Sequence, residues 1–302
     1  MFDLRKLSNR TMRAKVMNAL SFLPDKLYLQ LFYFACEGKF INFKNPTTFC
    51  DKMNWLKIYD RHPEYSKLAD KLAVRDYIKE EIGEQYLFPI YGYWRSFDQI
   101  NFDQLPEQFV LKCNHDSGSV KIIKSKNELT DERIKELRKF YNTRLHKDFF
   151  YIGREFPYKG IERYVFAEKY MKGSQNDLEP FEDYKFMCFN GIPQIMYIES
   201  ERDVGVKMDA YGMDFTPISI EGDKPKSGKI IEKPPFFDEM RKIAERLSQG
   251  IKFVRIDFRV LDGQVYFGEF TFYDNGGFRS FRPKEWDQKM ASWIKTDKTL
   301  RD

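Results

Sequence analysis

The sequence predicts a mixed fold, α+β or α/β. Apolar positions three or four apart recur through the first 90 residues, whereas period-two runs and helical segments alternate through the rest. Turn-forming pairs between the period-two runs, Asn190-Gly191 and Asp262-Gly263, predict antiparallel hairpins. The chain is also large enough for a substantial core. Its 302 residues, 42% hydrophobic and 17% aromatic, suffice for two domains or one large one.

Residues 1–90 read as helical. Met12, Val16, Leu20 and Leu23 share a helical face until Pro24-Asp25 breaks the pattern. Thr47 or Thr48 can cap a helix through Asp51–Lys57, and another helix is predicted from about Leu68 to Ile82, stopped by Gly83. Residues 91–165 begin with a strand at Tyr91–Trp94 and a turn at Asp103–Pro106. A hairpin follows, Gln108–Lys112 with Val120–Lys124, across a connection rich in turn formers, Cys113–Ser119. Thr130 caps a predicted helix over 130–145. Residues 166–302 continue with strands at Tyr164–Tyr170, Asp183–Phe189 and Gln194–Ile198, then a long Gly- and Pro-bearing loop from Lys207 to Pro235. A helix over Phe237–Gln249 ends at Gly250, and Phe253–Leu261 with Val265–Phe272 closes the series as a hairpin.

Composition excludes several classes. Lys plus Arg exceed Asp plus Glu by 51 to 46, too mild an excess for a histone-like nucleic-acid binder, so no nucleic-acid partner is expected. With 32% charged and 42% hydrophobic residues the chain is not disordered. The positive excess lies in residues 1–44, which hold eight Lys or Arg against three Asp or Glu. Such a basic, amphipathic segment can rest on an anionic membrane face; a solvated helix packed on the body accounts for the same residues. The longest apolar run, Leu27–Cys36, is interrupted by Gln30 and is half the roughly twenty residues a spanning helix needs. No signal peptide is visible. Cys36, Cys50, Cys113 and Cys188 are widely spaced and only three histidines are present, so neither a zinc site nor a disulfide framework is expected. Reduced thiols in a cytoplasmic protein are, with Cys188 in the core.

The chemistry concentrates in the last hairpin. Alternation places Val254, Ile256, Phe258 and Val260 on one face and Arg255, Asp257 and Arg259 on the other; Tyr266, Phe270 and Phe272 oppose Glu269 and Thr271 in the same way. The two apolar rows coincide only if Asp257 pairs with Glu269. That parity requires an odd loop, for instance Asp262, Gly263 and Gln264, because a two-residue turn would put the acids on opposite faces. Two adjacent carboxylates repel unless a cation lies between them, and hard oxygen ligands suit Mg²⁺. In the competing reading, Arg255 and Arg259 simply neutralise the acids. Lys112 ends an apolar strand ahead of a small polar loop, where amides of Ser117, Gly118 and Ser119 can cradle phosphate. Asp183 and Lys185, two apart on one strand, face the same way.

The ordered segments Asp70-Lys71-Leu72 with Arg75, Phe109–Gly118, Ala167-Glu168-Lys169-Tyr170, Asp183–Phe186, Val254–Phe258 and Phe267–Phe272 resemble the ATP-grasp superfamily, within it the TupA-like (teichuronopeptide biosynthesis) branch of bacterial surface-polysaccharide loci. The resemblance covers about residues 45–285. It implies an α+β ATP-grasp fold: a helical region over 1–90, a smaller subdomain with the phosphate loop over 91–165, and a larger one with the metal site over 166–302. It further implies that Arg75, Lys112 and the loop Ser117, Gly118 and Ser119 hold ATP phosphates, that Glu168, Lys169 and Met171 contact adenine, and that Asp183 binds ribose. Lys185 would reach the transferred phosphoryl, Arg255 would stabilise charge on the acyl centre, and Asp257 and Glu269 would hold Mg²⁺. Thr271 stands where an Asn ligand is usual. The activity implied is ADP-forming carboxylate–amine ligation through an acyl phosphate, joining an amine or amino acid to a carboxylate-bearing sugar or polysaccharide precursor. Scarce His and Cys are no obstacle, since phosphoryl transfer needs positioning and positive charge rather than a protein nucleophile. Two other readings are a sugar-nucleotide glycosyltransferase, although no Asp-x-Asp occurs, and a non-catalytic polysaccharide or nucleic-acid binder that would use the aromatics and the basic N-terminus.

Overall fold

The computed structural model describes residues 20–171, 183–200, 205–222, 224–278 and 280–296. The helix expected over Met12–Leu23 falls mostly outside these; residues 20–23 form a turn before helix α1 (Asp25–Glu37). In α2 (Phe49–Tyr59) the cap is Thr48, whose hydroxyl accepts the Asp51 N–H while the Asp51 carboxylate takes the Thr48 N–H, a reciprocal capping box. The single helix expected over Leu68–Ile82 is two, α3 (Glu64–Ala69) and α4 (Val74–Glu81). The break is at Asp70, whose Oδ1 accepts the Leu72 N–H at 2.9 Å and an Asn114 amide hydrogen at 2.8 Å. A short acid that bonds the backbone two residues on competes with helix continuation there.

Two antiparallel sheets follow. The smaller comprises β1 (Ile90–Trp94), β2 (Phe109–Cys113), β3 (Lys121–Ile123) and β4 (Val165–Lys169) in the order β1-β4-β2-β3. Helix α5 (Asp131–Leu145), capped by Thr130, covers one face, and Phe109, Leu111, Val165 and Ala167 pack there with Leu137 and Tyr141. A short helix, α6 (Phe150–Gly153), leads back toward β4. Because β4 lies inside this sheet, the subdomain limit expected at 165 falls within it, and the chain crosses to the larger sheet between Lys169 and Asp183.

The larger sheet comprises β5 (Asp183–Phe189), β6 (Ile192–Ser200), β7 (Lys207–Gly212), β8 (Pro217–Ile218), β9 (Phe253–Leu261) and β10 (Gln264–Thr271), in the order β10-β9-β5-β6-β7-β8. The loop expected over Lys207–Pro235 therefore opens with two strands. Its first six residues pair along β6, where Met208, Asp209, Ala210 and Tyr211 are buried. Helix α7 (Phe237–Leu247) lays Phe237, Met240, Ile243, Ala244 and Leu247 on the sheet's apolar face, which carries Phe186, Ile256, Phe258 and Phe270. That face leaves the opposite one for charged side chains. Helix α2 joins the same core, with Phe49 edge-on to Phe253 at 5.4 Å, and α8 (Lys284–Trp293) packs beside it. No disulfide links the four cysteines, and Cys188 is buried beneath α7.

Candidate functional site

The pairing of Asp257 with Glu269 is present, but by a different route from the three-residue loop expected. Leu261 pairs with Gln264 across a two-residue turn, with φ of 49° at Asp262 and 73° at Gly263, both in the left-handed region that tight hairpins require. Parity is restored further along. Phe267 pairs with Phe258 and Glu269 with Asp257, so Gly268 is the extra residue of a β-bulge. A Cβ on Gly268 would lie 2.9 Å from the Asp257 carbonyl oxygen, closer than such contacts allow. The bulge also corrects the face assignment of β10: Val265 and Phe267 are buried with Phe270, whereas Tyr266 is half-buried.

The sheet order puts β5 beside β9 and so brings cations to the acids. Arg255 grips Asp257 with both arms, Nε to Oδ1 at 2.7 Å and Nη2 to Oδ2 at 2.8 Å, and donates to Asp274 at 2.6 Å and to the Thr271 hydroxyl at 3.1 Å. Lys185 Nζ lies 3.1 Å from Asp257 and 3.3 Å from Glu199, which Lys224 also contacts. Burial alone would raise the Asp257 pKa, yet Arg255 and Lys185 together hold it well below the usual carboxylate range. Glu199 is held low against its burial by Lys185 and Lys224. The mutual repulsion expected of the acid pair is thus already offset within the protein: Glu269 lies 3.8 Å from both Arg255 and Lys71.

Of these groups, Lys71, Lys185, Asp257 and Glu269 face a cavity of about 260 Å³ between the two sheets. From the smaller sheet, Lys112 and Glu168 enter it as a buried ion pair; burial lowers the Lys112 pKa and the Glu168 charge opposes that. Of the other residues singled out in the sequence, Arg75, Ser117, Gly118, Ser119, Asp183, Lys185, Asp257 and Glu269 line the cavity. Arg75 also donates to the Phe88 carbonyl at 2.9 Å, and Asp183 accepts from Arg259 at 2.8 Å. Three do not line it. Lys169 follows Glu168 on the strand, so its side chain points to the other face and is exposed, while its N–H donates to Pro89 at 2.8 Å. Met171, just past the strand, is half-buried, and Arg255 sits behind Asp257.

Sequence reasoning passed over Lys71 and Arg259. Lys71 Nζ donates to the Asp116 carbonyl at 2.6 Å, tying the α3–α4 turn to the loop before β3. Its signal is the segment that supplies Arg75. Strand alternation presents Arg259 only as a neutralising charge.

Among the described residues no group of three or more His, Cys, Asp or Glu converges as a metal site. The donor set still suits Mg²⁺. Two hard carboxylates stand opposite each other at a cavity wall, no soft ligand is near, and this ion commonly takes one or two carboxylates with phosphate and water oxygens completing its shell. The Thr271 hydroxyl already accepts from Arg255.

Two antiparallel sheets that close on a cavity lined by five basic and five acidic side chains define a two-sheet α+β protein with a highly charged cleft. The chain belongs to the TupA-like ATP-grasp family, which it matches over residues 51–295. Among solved structures, D-alanine–D-alanine ligase from Bacillus anthracis complexed with ATP is similar at 21% identity and a TM-score of 0.40, over 68% of this chain and 54% of that one. The ATP-grasp ligase PsnB, with a phosphomimetic precursor variant, Mg and ADP, is similar at 10% identity and a TM-score of 0.40, over 100% of this chain and 73% of that one. The chain therefore spans about half the length of the B. anthracis ligase. No curated protein sequence matches it.

Proposed function

We propose that the protein is an ATP- and Mg²⁺-dependent, ADP-forming carboxylate–amine ligase. The observation that carries this reading is the convergence of the Lys71, Lys112 and Lys185 ammonium groups and loop Ser117–Ser119 on one cavity that also bears Asp257 and Glu269. Lys71, Arg75, Lys112 and the loop hold the ATP phosphates. The adenine lies by the β4 end, against backbone near Lys169 and Met171 and beside Glu168, with Asp183 toward the ribose. Asp257 and Glu269 hold Mg²⁺, which when bound supplies charge neutralisation to the phosphates.

Lys185 meets the γ-phosphoryl as a substrate carboxylate oxygen attacks phosphorus and the bond to the β-phosphate oxygen breaks, releasing ADP. The amine then attacks the acyl carbon, phosphate leaves, and the nitrogen loses a proton. Arg255, taken up by Asp257, Asp274 and Thr271 behind the cavity wall, holds the Asp257 carboxylate in place for this chemistry. The acceptor we favour is a sugar carboxylate in surface-polysaccharide biosynthesis, a reading supported by the family.

ATP with Mg²⁺ is expected to raise the melting temperature, since a ligand of the native state adds RT ln(1 + [L]/Kd). Supplying candidate acids and amines should then release ADP. Stabilisation by UDP-sugars with none by ATP would overturn the reading.

A cytoplasmic site of action, with the basic residues 1–19 against an anionic membrane face, belongs to the same proposal. Exposed Phe22, Leu27, Leu31 and Phe40 next to that segment support it, and no helix among the described residues is long and apolar enough to cross a membrane. Co-sedimentation with phosphatidylglycerol vesicles but not with neutral ones is the expected result; equal recovery with both removes the membrane contact.

A further inference from the structure

The connection from β2 to β3 carries three backbone amides, those of Ser117, Gly118 and Ser119, that make no hydrogen bond within the described residues although all three residues line the cavity. For Gly118 and Ser119 the preceding carbonyls account for this. From the last turn of α5, Arg144 donates to the Ser117 carbonyl at 3.3 Å and to the Gly118 carbonyl at 3.2 Å. In a trans peptide the C=O and the following N–H point opposite ways. A guanidinium that draws these two carbonyls outward therefore turns the Gly118 and Ser119 N–H groups away from itself, toward the cavity. Gly118 accommodates the turn with a φ of 81°.

Arg144 also pairs with the Asp116 carboxylate, which is buried. Unpaired, that charge would stand at the same cavity wall and repel an anion. The guanidinium is braced in turn: it stacks over the Phe140 ring at 4.6 Å, and the Arg144 carbonyl oxygen lies 3.2 Å from Nε2 of His115 in the loop. Its planar fork presents donors on two separate nitrogens to two carbonyls and a carboxylate, a spread that the compact point charge of an ammonium lacks.

We infer that Arg144 is a positioning residue for nucleotide phosphates: it aims the loop amides into the cavity and cancels the charge of Asp116, without touching the ligand. This rests on the nucleotide reading above.

The test compares Arg144→Met and Arg144→Lys with the wild type in the full chain, titrating ATP with Mg²⁺, ADP and adenosine by calorimetry. Arg144→Met is expected to weaken ATP and ADP by about tenfold to a hundredfold, the range of hydrogen bonds to charged groups, with adenosine unchanged. Arg144→Lys restores the charge beside Asp116 but not the fork, so its ATP affinity should fall in between. Equal weakening of ATP and adenosine would reduce Arg144 to structural support and overturn the inference, as would unchanged ATP affinity in a folded Arg144→Met. Should that variant fail to fold, Arg144→Lys alone decides: weaker ATP at unchanged adenosine affinity supports the inference, and parity with the wild type overturns it. A wild-type protein that binds no ATP overturns the nucleotide reading itself, and that result needs no variant.

Discussion

Asp257→Asn is expected to abolish ADP release and to cost about 3 kcal/mol of stability, toward the low end for breaking a buried ion pair. The low end applies because Arg255 keeps Asp274 and Lys185 keeps Glu199 as partners. The melting temperature should fall by roughly 5–10 °C. The pH dependence gives a second signature. Burial pushes the Asp257 pKa up, but Arg255 and Lys185 outweigh it and the folded value lies below the ordinary one. As pH falls, the unfolded chain therefore takes up this proton first. The stability contributed by Asp257 is fully present above the unfolded value of about 4 and is lost as pH drops below it toward the folded value. Urea unfolding of the Asn variant should thus show a shallower loss between neutral and acid pH. Part of the slope should survive in both proteins, because Glu199 is depressed in the same direction. A variant as stable as the wild type at pH 7 would contradict the buried-pair account.

The pairing in the last hairpin shows what a single chain reveals and what it hides. Apolar parity required Asp257 opposite Glu269, and that pairing is present. Parity cannot say where the odd residue goes, however: an odd loop and a bulge satisfy it equally. The turn pair Asp262-Gly263 favours two residues, and the isolated Gly268 inside the strand was the available sign of a bulge. Neutralisation of the acids was legible only in part. Arg255 is local to Asp257, but Lys185 arrives through the order of strands in the sheet, which local pattern does not encode. Strand β7 alternates over only six residues, and the Gly and Pro beyond it dominated the reading of that stretch. Helix α3–α4 looked continuous because the interruption depends on Asn114, 44 residues away, meeting Asp70.

Lys112→Met tests binding and folding at one position, and the two effects should separate in a double variant. The single substitution removes the partner of Glu168, whose side chain is only 11% exposed, and strands that carboxylate at the cavity wall. The expected cost is about 3 kcal/mol, mostly the penalty of an unpaired buried charge rather than the worth of the pair. Arg75, whose charge also acts on Glu168 from across the cavity, keeps the loss from being larger. Glu168→Gln added to Lys112→Met removes the stranded charge, so the double variant should recover most of the lost stability in a denaturant melt. ATP affinity should behave differently. A phosphate site lacking its ammonium loses a charge-assisted contact whether or not Glu168 is ionised, so single and double variants should both bind ATP about tenfold or more weakly. If the double variant binds ATP as tightly as the wild type, Lys112 serves only to neutralise Glu168 and is not a phosphate ligand. If stability stays low in the double variant, the Met side chain fits the strand poorly and the ion-pair account of the single variant is wrong.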